Sequence, residues 1–135
     1  MKMKRGLIFL IVIFISVQFI SASVYVNEIE LNPAGTDAGN EWIEIYNDGV
    51  PVNLSGWYLT DKDDNQFYFP SVIINDFYVL DSLDGLVNTN ENISLFDNNS
   101  ISQDNTGGLS DGDNINNKTW QRIPDGTGSF VFRLS

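Results

Sequence analysis

The sequence contains no cysteine and no histidine. Without cysteine there are no disulfides, so a domain of this size must be held together by its core. The two absences together exclude Ser-His-Asp and Cys-His catalytic sets, as well as zinc or haem held by imidazole or thiolate. Basic residues are scarce too: 7 Lys+Arg stand against 18 Asp+Glu in 135 residues. Three of the seven (Lys2, Lys4 and Arg5) lie within the first five positions. The chain beyond them keeps four basic residues against 18 acidic ones, a net charge of −14. Such a surface repels phosphate backbones, which argues against a nucleic-acid partner. A sustained helical period is also missing from the chain after its leader.

The first 23 residues have the order of a secretory signal peptide. A basic start is followed by the apolar run Leu7–Val17, broken only by Ser16, and then by the small residues Ser21-Ala22-Ser23. The alternative is an uncleaved membrane anchor, but the run falls short of the roughly 20 residues that span a bilayer. Membrane association is therefore expected only through this segment, if it is retained. Residues 24–135 form the expected domain. They are enough for one core and too few for two, and they keep three Trp, five Tyr and most of the nine Phe.

What is present is strand punctuated by turn chemistry. In Glu41–Asn47, Ile43 and Ile45 fall on one face and Trp42, Glu44 and Tyr46 on the other, the period of a half-buried strand. Asn47-Asp48-Gly49 suits a tight reversal. Pro51–Leu54 reads as a short edge-type run, because proline cannot donate to a ladder. Ser55-Gly56 lets the chain bend into Trp57–Thr60, where Trp57 and Leu59 share a face. Val24–Leu31 changes phase between Val26 and Ile29, which predicts a bulge near Asn27-Glu28. Asn32–Asn40 is a loop by composition. Gln66–Phe69 is a strand ended by Pro70, and Phe77–Leu80, apolar on both parities, is expected to be an interior strand. Ile93–Asp97 is short, Ser102–Asn117 is expected to be a long loop, and Trp120–Ile123 and Phe130–Leu134 close the chain. Short strands at this spacing predict an all-β sandwich.

The pairing of EWIEIYNDG with VNLSGWYLTD resembles the lamin-tail domain, an immunoglobulin-like β-sandwich. The resemblance continues through FYFPSVIINDFYVLDS, NENISLFDNNS and TWQRIPDGTGSFVF, so it covers nearly all of the chain after the leader. It implies a non-catalytic module of the secreted prokaryotic type. Exported members of the family commonly accompany hydrolases or other surface domains, and no companion domain is read in these residues.

Five groups of residues are weighed as candidates for function. Trp42, Tyr46 and Tyr58 lie opposite the core-facing side chains and would form an aromatic patch if their strands were adjacent; the alternative is that a loop or strand covers them. Asp104, Asp111 and Asp113 are candidate calcium ligands in a loop, against the reading of a merely solvated loop. Asp61, Asp63 and Asn65 begin like an EF-hand, but Gln66 and Val72 stand where Gly and Glu are required, so a polar turn is expected there. Glu28, Glu30, Glu41 and Glu44 are the richest acidic cluster. They read as outward-facing, and a carboxylate hydrolase lacks any second motif. Of the four Asn-x-Ser/Thr sequons, Asn98 and Asn117 are favoured over Asn53 and Asn92 as glycan acceptors. The expectation is thus a secreted or cell-surface interaction or adhesion module with no cofactor, calcium aside. Its expected partner is a surface protein or a cell-envelope polysaccharide. The alternative function is a carbohydrate-binding module working through exposed aromatics.

Overall fold

A computed structural model describes residues 23–112 and 117–135. Eleven strands make up the fold, and no helix occurs among these residues. A five-stranded antiparallel sheet has the order β11-β10-β1-β2-β7, made of β11 (Ser129–Leu134), β10 (Lys118–Ile123), β1 (Val24–Glu30), β2 (Glu41–Asn47) and β7 (Phe77–Leu83). A four-stranded sheet has the order β5-β4-β8-β9, from β5 (Gln66–Tyr68), β4 (Tyr58–Thr60), β8 (Ser94–Phe96) and β9 (Ser102–Asn105). The short β3 (Val52–Asn53) and β6 (Ile73–Ile74) pair separately.

The core lies between the two large sheets. Val24, Val26, Ile29, Ile43 and Ile45 come from one sheet and Leu59 and Leu95 from the other, joined by Leu54, Trp57, Ile74 and Ile93. The alternation in β2 places Ile43 and Ile45 inward, as the sequence predicts. The phase change in β1 is a bulge: Val26 pairs with Ile45, Glu28 with Glu44, and Asn27 is the extra residue. Asn27 is buried, and its amide donates to Glu44 and Asp125 while accepting from the Gly126 amide. The bulge therefore pins the turn after β10 onto the sheet.

Three expectations need correction. Phe77–Leu80 belongs to an edge strand, not an interior one, and Phe77 and Val79 are 45% and 44% exposed. The mixed apolar parity arises because Tyr78 and Leu80 pack on the core while Phe77 extends the aromatic contacts of β2. Ser102–Asn105 is a strand rather than part of a loop. Its polar residues pair with β8, and Asp104 is clamped by Arg122 from β10 through two oxygens at 2.9 and 2.8 Å. Glu30 and Glu41 are buried rather than outward-facing. The leader expected over residues 1–23 lies, but for Ser23, outside the described residues, as does Asp113.

Candidate functional site

Strand alternation puts two rows of side chains on the outer face of the four-stranded sheet. Leu59 and Leu95 point into the core, so Tyr58 and Phe96 on either side of them point out. Tyr58 pairs with Tyr68 on one side and Phe96 on the other. The Tyr58 ring stacks on Phe96 at 5.1 Å and 14°, and meets Tyr68 at 5.3 Å. Tyr68 is 60% exposed. Next to this aromatic row runs a second, Gln66–Thr60–Ser94–Asn105, again in register across all four strands. Asn105 Nδ2 donates to Ser94 Oγ and the Tyr68 hydroxyl to Gln66 Oε1, which fixes the polar groups in orientation. Neither row holds a charged residue, in a chain with 18 acidic ones.

Tyr46 and Trp42 lie elsewhere, on the outer face of the five-stranded sheet. The expected patch of Trp42, Tyr46 and Tyr58 therefore does not assemble, because β2 and β4 belong to different sheets. Parity alone cannot say which sheet a strand joins. Tyr46 contacts Phe77 at 4.8 Å and lies opposite Tyr25. The turn carrying Gly126 covers both tyrosines, so a Cβ at that glycine would meet Tyr25 Cδ2 and Tyr46 Cδ1 at 2.9 Å. Tyr68 and Phe96, the partners Tyr58 does have, were readable only as alternation against Phe67 and Leu95.

The acidic candidates also separate. Asp104 is occupied by Arg122 and by the Val26 amide at 2.9 Å, so it is not available to a cation. Asp111 is buried beside Asn32, whose amide donates to the Asp111 carbonyl at 3.0 Å. Glu28 and Glu44 face each other in register on the outer face of the five-stranded sheet, and Glu28 accepts from Thr119 Oγ1. Burial, opposed by the Asn27 amide, raises the Glu44 carboxyl above its usual range. Burial pushes Glu41 up to about 7, although its carboxylate accepts the Gly85 and Leu86 amides. These groups do not converge on a cleft: no pocket forms among the described residues. Asp61 is buried and accepts the Asp63 and Asn65 amides, so it organises the β4–β5 turn. Asn98 and Asn117 are both exposed.

Comparison with known proteins agrees with this architecture. No curated protein and no solved structure matches the chain. The family profile for the Lamin Tail Domain matches residues 20–129, most of the chain and ten of its eleven strands in full. Its members are non-catalytic immunoglobulin-like domains. With the sandwich, the bulged first strand and the LSGW turn all in place, this chain belongs to the lamin-tail domain family.

Proposed function

We propose that the protein is an exported, non-catalytic binding module that recognises an uncharged polysaccharide of the cell envelope through the outer face of its four-stranded sheet. One observation carries this reading: an outward-facing row of three aromatic rings, Tyr68 exposed and Tyr58 and Phe96 half-buried, in register with a row of amides and hydroxyls, without a charge in either. Sugar C–H groups carry partial positive charge and settle on the negative face of an aromatic ring. Gln66 and Asn105 offer both donors and acceptors to sugar hydroxyls. The strongly acidic remainder of the surface disfavours anionic polymers, which leaves neutral chains as the fitting class. Export is supported by the basic start, apolar run and small residues of the first 23 positions.

The test is pull-down and glycan-array binding of the purified protein beside Tyr68→Ala and Tyr46→Ala variants. Saturable binding to a neutral glycan, weakened at least about ten-fold in Tyr68→Ala and unchanged in Tyr46→Ala, is expected. Equal binding by all three proteins would remove this face as the site. Capture of a surface protein with no glycan signal would replace the polysaccharide with a protein partner.

A further inference from the structure

The five-stranded sheet ends in two open edges of opposite charge. Among the described residues, the backbone of residues 77–82 in β7 bonds only within the ladder to β2, and that of residues 129–133 in β11 only within the ladder to β10. In an antiparallel strand every second residue directs its N–H and C=O away from that one partner, so each edge presents a row of groups that a further strand can bond. β10 and β11 hold Lys118, Arg122 and Arg133, three of the four basic residues beyond the leader, and no acidic residue. β7 holds Asp81 and is flanked by Asp76 and Asp84, with no basic residue among them. Asp81 and Arg133 are both exposed, and neither forms an ion pair among the described residues.

The register matches one edge to the other. All four pairings of the sheet are antiparallel, so β11 and β7, the outermost of its five strands, run in the same direction. One cross-strand row passes through Val131, Gln121, Glu28, Glu44 and Val79, which puts the exposed Val131 and Val79 at its two ends on the same face. A second copy placed to continue that row lays its β11 parallel to β7, with its Val131 beside Val79. Side chains two residues apart share a face, so the second copy's Arg133 then falls beside Asp81. On the opposite face its Phe130 and Phe132 fall beside Tyr78 and Leu80. We propose that the protein assembles head to tail, β11 of one copy adding as a strand to β7 of the next. Charge selects this join, because β7 against β7 sets two acidic edges together and β11 against β11 two basic ones. Each added copy leaves one β7 and one β11 open, so the series extends and does not close as a dimer. The outer face of the four-stranded sheet takes no part in the join, and its aromatic row is repeated along the assembly.

Sedimentation velocity of the purified protein, followed from micromolar to millimolar concentration, tests the join. We expect a series of species that lengthens with concentration at low salt and is weakened in about 1 M NaCl, where screening acts within about 3 Å. Asp81→Lys and Arg133→Glu alter exposed side chains, so each should leave the thermal midpoint unchanged while weakening association about ten-fold or more. Mixing the two variants in equal amounts sets opposite charges at every join of an alternating series. Combining both substitutions in one chain does the same, and association should return in either case. Monomer at every concentration, association unmoved by either variant, or no recovery on mixing would overturn the proposal. A closed dimer that ignores Asp81→Lys would also overturn it, because β11 would then be pairing with its own copy.

Discussion

Glu41 is 1% exposed, and its carboxyl is raised from 4.5 to about 7. The folded state therefore holds the Glu41 proton over a pH range in which the unfolded chain has released it. The stability this contributes is complete below pH about 4.5 and is lost as pH rises through about 7. A displacement of that size corresponds to at most about 3 kcal/mol between the two ends of the window. Glu30 and Glu44 are shifted in the same direction and steepen the same slope. Glu41→Gln isolates one residue's share, because glutamine keeps an oxygen for the Gly85 and Leu86 amides and carries no charge. Urea denaturation of both proteins at pH 4.5, 6 and 8 gives the stability difference directly. The expected result is a difference that moves in favour of the variant by about 2–3 kcal/mol between the lowest and highest pH. A pH-independent difference would refute the argument. It would mean that the two backbone donors already compensate fully for burial of the charged carboxylate.

Three further outcomes are expected. Arg122→Met should lower stability by about 3–5 kcal/mol, because it strands the half-buried Asp104 and also removes the bonds to the Val26 and Gly128 carbonyls; thermal denaturation reads this as a fall of ten degrees or more. Glu91→Ala should cost about 3 kcal/mol or more, since the fully buried carboxylate accepts the backbone N–H groups of Lys62, Val87 and Asn92, and denaturant titration measures it. Gly128→Ala should yield little soluble protein, because a Cβ there would collide with the Ile123 and Pro124 backbone rather than with a movable side chain, whereas Gly112→Ala meets nothing and should express normally.

Much of the fold could be read from local pattern. Ile43 and Ile45 announced their face by alternation, and Val26 and Ile29 announced the bulge by losing it. The features that escaped depend on distant partners. Ser102–Asn105 has the composition of a loop and becomes a strand because Arg122, 18 residues on, fixes Asp104. Glu41 and Glu91 look like surface acids until the amides of residues 85–87 are brought to them. The aromatic row is half legible in the sequence. Alternation against Leu59 turns Tyr58 outward, but its neighbours depend on sheet membership, which side-chain parity does not encode.

The sheet order has a consequence for how the chain acquires its shape. β1, the first strand among the described residues, sits in the middle of the larger sheet, between β2 and β10. Its bonds to the far side reach across the whole domain: Gln121 and Glu28 are 93 residues apart. At a synthesis rate of about 5–20 residues per second, β1 waits several seconds for its second neighbour to exist. Closing so long a loop carries an entropic cost that only late contacts repay, so folding is slow and completed near the end of the sequence. The larger sheet is therefore completed only once β10 and β11 are available to it.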